Sequence, residues 1–332
     1  VPISTTLAKA HSEYSESLIA RKLADNSRKS RLQIVRHAEN LWGRDFPLTS
    51  VKEEHVSGLF GELELTESTF NLYLGNLRLF FTWARANNYM AASQDPVAGW
   101  SNAKVRRRDP FMLPAARFAE LLDACEHPRD RAVCAIGLFA VPRGGEISTL
   151  RIKDVDFGSG LLHLERHKTK DLDELQLMVD LREELERWLD YYRWATGGEL
   201  KRDWYLTPRR ASGKSTATGL FESEGTHLWP TQRVHHIYEI PKRALRAIGV
   251  DDRGQGVHTL RRAGSRATFD ALSQQNYDGA LRYVSSMLGH ASVTMTEKYL
   301  NISLDRRNRN KVLEGFRLIP TRQGELRLVE GG

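Results

Sequence analysis

Apolar residues recur with a helical period along most of this chain. Leu32, Val35, Leu41 and Trp42 fall near three- and four-residue steps, with Arg28, Lys29, Arg31 and Arg36 between them, and predict one helix. Leu72, Leu77, Phe80, Phe81 and Ala84 predict a stronger one over 68–87. Thr66, with Thr69 three residues on, offers it an imperfect cap. Asp95-Pro96 closes the region, because a residue before proline is driven out of the helical conformation. Residues 1–14 read as short, polar and flexible, so 1–100 predict a small all-helical domain.

Residues 101–110, SNAKVRRRDP, have almost no apolar content and read as an interdomain linker. Beyond it a helix is expected from Leu113-Pro114, burying Phe118, Leu121, Leu122 and Cys125. A mostly apolar helix follows over 131–141, and others over 181–194, 233–248, 259–272, 280–288 and 294–300. The alternating runs 161–167 and 175–179 predict antiparallel strands around a polar turn at 169–173. The expected fold is mainly α, with one small antiparallel β-sheet in the second domain.

Composition refines this picture only modestly. The chain has 332 residues, enough for two domains, and 40% hydrophobic content, ordinary for a globular protein. A net charge of +7 and a pI near 9.4 suit a polyanionic partner, nucleic acid above all, although a basic protein without one fits the charge equally. Two cysteines, Cys125 and Cys134, are too few for a disulfide scaffold or a four-ligand zinc site. No run approaches the ~20 apolar residues of a membrane span, and no signal-peptide core precedes residue 30, so a cytoplasmic protein with no membrane partner is expected. The chain opens on Val1, which leaves open a literally translated GTG start or a missing true start.

Phosphoryl transfer on DNA needs a nucleophile, cations for the phosphate oxygens and an acid for the leaving oxygen. Metal is a poor source of those cations here. Asp154 and Asp156 lack a third acid beside them, and His235 and His236 adjoin, so on a helix they diverge. Gly213-Lys214-Ser215 ends like a phosphate-binding loop, but Pro208 stands where its first glycine belongs, and a polar surface loop is the better account. Arginines fit better. Arg143 precedes two glycines and Glu146, His258 and Arg261 lie three apart at a helix start, and Tyr299 follows His290 by nine positions. Taken singly, these are equally a structural salt bridge, a surface pair and a packing tyrosine.

In this order and spacing the motifs resemble the tyrosine recombinase (phage integrase) family over nearly the whole chain. They are Arg143–x–x–Glu146, a hairpin lysine, His258–x–Leu–Arg261, Leu–Gly–His290 and Tyr299. The resemblance implies a SAM-like core-binding domain over 1–100, a catalytic domain over 111–304 and a tail over 305–332 that docks on a neighbouring protomer. It implies that Arg143 and Arg261 clamp the scissile phosphate, that His258 assists proton transfer and that His290 bonds a non-bridging oxygen. Glu146 would support them. Lys168, with Lys170 as alternative, would protonate the leaving 5′ oxygen, and Tyr299 would form a 3′-phosphotyrosyl link.

No metal, ATP or other cofactor is implied. The partners would be double-stranded DNA at specific recombination sites, three further copies in a homo-tetramer, and accessory DNA-bending or directionality proteins. Lys104, Arg106, Arg107 and Arg108 in the linker are candidate phosphate contacts, though such a run is commonly just a solvated cluster. In the tail, Arg306, Arg307, Arg309 and Lys311 precede Val312, Leu313 and Phe316, and the Leu326/Leu328 alternation suits an added strand.

Two features depart from the family. Ala140-Val141-Pro142 replaces the usual Thr-Gly-Leu or Thr-Gly-Met before the first arginine, and Pro142 is expected to shift the helix end there. The short amino terminus leaves no room for an arm-site domain, through simplicity or loss. A phage or mobile-element integrase leads, ahead of a Xer-like dimer resolvase or a transposon recombinase. A type IB topoisomerase-like enzyme and a decayed, non-enzymatic DNA-binding protein follow.

Overall fold

In a computed structural model of the chain, residues 4–105, 110–167, 170–210, 221–223, 226–275 and 277–300 are described. The chain divides into two units, Val1–Arg108 and Asp109–Gly332.

The first unit is built from α1 (Leu7–Ala20), α2 (Asp25–Trp42), α3 (Glu53–Gly61) and α4 (Glu67–Ala86). The polar reading of residues 1–14 is corrected by α1. Leu7, Ala10, Tyr14 and Leu18 recur every three or four residues and bury one face, and the Thr6 hydroxyl caps the helix by accepting from the Lys9 amide. Four apolar residues among polar ones are a weak compositional signal but a complete helical stripe. In α4 the Thr66 hydroxyl accepts from the Thr69 amide at 3.3 Å, and Leu77, Phe80, Phe81 and Ala84 enter the core. Leu72 and Leu41, assigned to apolar stripes by spacing, are instead 50% and 46% exposed.

The first half of the expected linker is strapped to this unit rather than free. Asn71 exchanges two hydrogen bonds with the Ala103 backbone, at 2.9 and 2.7 Å, and Arg78 holds the Trp100 carbonyl and the Asn102 side chain. Lys104 lies exposed on this strap. Arg106, Arg107 and Arg108 lie outside the described residues.

The second unit begins with α5 (Phe118–Asp123), α6 (Pro128–Phe139) and α7 (Gly144–Thr149). Almost every side of α6 is buried, which makes it the central post. It packs against α8 (Val179–Ala195), α9 (Glu239–Ala247) and α10 (Val257–Gln274). The α6–α10 crossing depends on glycine: a Cβ on Gly264 would fall 1.7 Å from the Leu138 carbonyl oxygen. Two short helices, α11 (Ala280–Met287) and α12 (Val293–Tyr299), end the described part.

One sheet joins β1 (Val155–Asp156), β2 (Leu161–Glu165) and β3 (Leu172–Gln176) in that order, all antiparallel. The strand expected over 175–179 therefore lies three residues earlier. Leu162 pairs with Leu175 and Leu164 with Asp173, while Val179 already begins α8 and is exposed. The tight turn explains the shift: the Arg166 amide donates to the Asp171 carbonyl at 2.8 Å, and the Lys170 amide to the Arg166 carbonyl at 2.7 Å.

A second sheet, unforeseen in the sequence, orders β4 (Pro208–Arg210), β6 (Thr226–Arg233) and β5 (Phe221–Ser223). It corrects the helix expected over 233–248, whose first residues are the end of β6 and a loop. Pro230 is tolerated inside this central strand because the register jumps there, from Pro208↔Arg233 to Arg209↔Trp229. The segment 211–220, with the lysine of the loop motif, lies outside the described residues.

Candidate active site

Pro142 does alter the helix end. The last turn of α6 stops at Phe139, Val141 takes a left-handed φ of 48°, and Arg143 becomes the residue before α7 rather than the close of a long helix. This kink aims the Val141 carbonyl at α10, where Arg261 donates to it. Arg261 also donates to the Leu288 carbonyl, just ahead of the Gly289 turn.

Arg261 is only 2% exposed, and neither bond neutralises its charge. Burial lowers its pKa to about 10, so the guanidinium stays protonated at neutral pH. A buried cation held by neutral carbonyls is a place prepared for an anion.

Glu146 lies beneath this cation cluster. Its carboxylate accepts from the Arg143 amide at 2.7 Å and from the Arg143 guanidinium at 3.0 Å. Burial opposes its ionisation, but those two bonds and the Arg166 charge outweigh it and hold the carboxyl below its usual range. Arg143 keeps 30% of its side chain exposed and can reach a ligand without releasing Glu146.

His258 stands on the first turn of α10 and is exposed as a residue, though its ring is partly desolvated. Its pKa is lowered by desolvation and by the charges of Arg261, Arg262 and Arg143. His290 follows Gly289, whose φ of 58° turns the chain out of α11. Desolvation and then Arg261, Arg143 and Arg166 lower its pKa to about 4. Both rings are therefore neutral at pH 7. The His290 Nδ1 lies 2.9 Å from the Thr296 hydroxyl. If that hydroxyl donates, the ring proton sits on Nε2.

Tyr299 ends α12 with its ring edge-on to His290, 5.4 Å between centroids, and the Arg262 guanidinium 5.7 Å from its centre. Its hydroxyl donates to the His258 backbone carbonyl at 3.3 Å. Burial raises its pKa above the ordinary tyrosine value, and the charges of Arg261, Arg262 and Arg143 pull it part of the way back.

The structure thus gathers Arg143, Glu146, His258, Arg261, His290 and Tyr299 around one end of α10. Lys168 lies outside the described residues, and Lys170 is exposed and paired with Glu165 at 3.3 Å. A cleft of about 500 Å³ is lined by Arg143, Arg166, Asp173, Gly289 and His290, among others.

Sequence reasoning missed Arg166, which is buried at the hairpin base between Glu146, Asp173 and the end of α11. Its signal was an arginine continuing the alternation of β2, next to the basic His-Lys-Thr-Lys run. The paired acids have local roles: Asp154 accepts from the Arg151 amide, and Asp156 from those of Gly158 and Ser159. A second basic cleft includes Arg129, Arg209, Arg210, His235, His236 and Arg243. Its arginines have partners within the fold, although a single carboxylate serves two of them. Arg129 and Arg243 share Asp130, and Arg209 lies over Trp229 and bonds Gln232.

A helical scaffold thus gathers arginines, two neutral histidines and a tyrosine around one end of α10, a set whose charge and donors suit an anionic ester. Residues 112–306 match the phage integrase family, and the chain belongs to it. A tyrosine recombinase of Pseudothermotoga lettingae is 25% identical over 78% of this chain and 80% of its own length. Tyrosine recombinase XerD of Ralstonia nicotianae is 26% identical over 88% of this chain and 87% of its own. Among solved structures, a lambda integrase dimer bound to a COC′ core site superposes with a TM-score of 0.65 at 19% identity, covering 92% of this chain and 79% of that one. The Tn1549 transposon integrase in complex with transposon right end DNA gives 0.65 at 13% identity, covering 93% and 99%. The mostly helical architecture with small antiparallel sheets is the fold of these integrases. As a tyrosine recombinase, the chain belongs to enzymes that cut and rejoin DNA.

Proposed function

We propose that this chain is a site-specific DNA recombinase, the integrase of a phage or mobile element, with Tyr299 as its nucleophile. The observation that carries the reading is the buried guanidinium of Arg261, whose charge its two carbonyl partners leave unmet, facing Tyr299 beside Arg143. In this reading Arg143 and Arg261 hold the non-bridging oxygens of the scissile phosphate, and His290 donates to one of them. The phenol proton passes to the neutral His258 ring as the oxygen attacks phosphorus.

The bond from phosphorus to the 5′ oxygen breaks, and that oxygen takes a proton from Lys168, or from Lys170 as the alternative. The 3′-phosphotyrosyl ester conserves the bond energy, so a free 5′ hydroxyl expels Tyr299 without ATP, and the arginines supply the charge a metal would bring. Repeated on four strands, this gives a Holliday junction. The lambda integrase tetramer bound to a Holliday junction supports a tetrameric assembly for this chain as well.

The test is a nicked suicide substrate made from DNA flanking the gene, incubated in a metal chelator. Wild type should form a covalent adduct and Tyr299→Phe none, with DNA binding retained; an adduct that survives the substitution sinks the mechanism. The likeness to XerD favours a second reading, a dimer resolvase. Such an enzyme acts on two copies of one site in a plasmid, whereas an integrase joins two dissimilar sites. Relaxation of a supercoiled plasmid with no cognate site would instead indicate a topoisomerase-like enzyme.

A further inference from the structure

Arg166 is 3% exposed, a costly place for a guanidinium unless every donor is used. Its Nε donates to Asp173 Oδ2 at 2.8 Å, and its Nη2 lies 2.6 Å from the same oxygen. Nη2 also donates to the Met287 carbonyl at 2.7 Å, and Nη1 approaches Glu146 Oε2 at 3.4 Å. One planar group thus joins three pieces of chain: β3, the end of α11 and the carboxylate that carries Arg143.

Gly289 completes the fit. A Cβ there would lie 3.2 Å from the Arg166 Nε, so the turn that presents His290 rests directly on the guanidinium. Asp173 meets most of the Arg166 charge, which leaves Glu146 free to make its shorter bonds to Arg143.

We propose that Arg166 is the positioning residue of this site, setting the spacing between Arg143 and His290 through the three bonds of its fork. This rests on the recombinase reading above. Lysine cannot replace it, because a single ammonium has neither the span nor the planarity to reach Asp173, Glu146 and the Met287 carbonyl together.

The test compares two scissile groups in the same nicked substrate: a normal phosphodiester, and a methylphosphonate in which a methyl replaces one non-bridging oxygen. The methylphosphonate is neutral and depends less on a well-placed cation. Arg166→Lys should slow single-turnover adduct formation on the phosphodiester by about 100-fold, the scale of a misplacement near 1 Å. On the methylphosphonate the loss should shrink to within about 5-fold of wild type, as it would if a guanidinium clamp were misplaced.

Asp173→Asn, at a partly exposed side chain, should show the same substrate-dependent defect in milder form, and it decides the matter if Arg166→Lys does not fold. An equal loss on both substrates, or none, overturns the proposal and leaves Arg166 a fold-stabilising ion pair. No adduct from wild type on either substrate would overturn the recombinase reading instead.

Discussion

At the residue scale, buried ionisable side chains hold both the candidate site and the scaffold around it. Arg143, Glu146, His258, Arg261, His290 and Tyr299 stand at motif spacings, so their grouping could be anticipated. Arg166 could not, because its importance comes from joining Asp173 across the hairpin to Glu146 and Met287, which lie 20 and 121 positions away. His127 has a local role instead: its Nδ1 accepts from the Arg129 amide two residues on and caps α6. Burial, then Arg210 and Arg129, lower its pKa to about 4.

The unfolded value is ~6.5, so His127 takes up a proton on unfolding at any pH between the two. Its contribution is therefore fully present above pH ~6.5 and is lost as pH falls towards about 4; at pH 4.5 the loss is about 2.5 kcal/mol. His127→Asn keeps a capping oxygen and removes the titration. Denaturant unfolding at pH 7.5 and 4.5 should show the variant losing about 2 kcal/mol less than wild type. Parallel losses would show that other groups set the acid sensitivity.

At the scale of elements, periodicity found the longer helices from α2 onward, missed α1, α3 and α7, and misjudged what tertiary pairing decides. The shift of β3 follows from its register against β2 and from Asp173 meeting Arg166. The conversion of 233 from helix to strand follows from pairing with β4, whose three residues carry little pattern of their own. The α6–α10 crossing was equally hidden, since an isolated glycine in a helical run reads only as a weak helix former.

Its consequence is measurable. Gly264→Ala drives a methyl into the Leu138 backbone and should cost at least about 3 kcal/mol. It should also separate Arg261 from the Val141 carbonyl, slowing adduct formation even in the folded fraction. Gly137→Ala, on the facing helix, meets side chains rather than backbone, Leu260 from 3.3 Å and Ile147 at 4.0 Å, and should cost less than about 1.5 kcal/mol. Denaturant unfolding of the pair checks both figures, and similar losses would refute the close backbone approach.

At the scale of the whole molecule, the chain carries +7 in two units whose division falls at Arg108 and Asp109, beside the arginine run. The break in apolar content lies beside this division, whereas nothing in the sequence marks the Asn71–Ala103 strap. The strap holds the chain to the first unit as far as Ala103, three positions before Arg106.

If these arginines meet the DNA backbone, each releases about one counterion. The slope of log affinity against log salt then falls by about 0.9 per arginine removed, whatever the sequence of the DNA. The full-length chain bearing Arg106→Ala, Arg107→Ala and Arg108→Ala should therefore bind cognate and random duplexes with a slope lower by about 2 to 3 units. Once saturated with DNA, it should still form the Tyr299 adduct at close to the wild-type rate, because the arginines bind substrate rather than act on the reacting phosphate. An unchanged slope would make the run a solvated cluster. A slope change confined to cognate DNA would show that the arginines read base sequence or shape instead of phosphate.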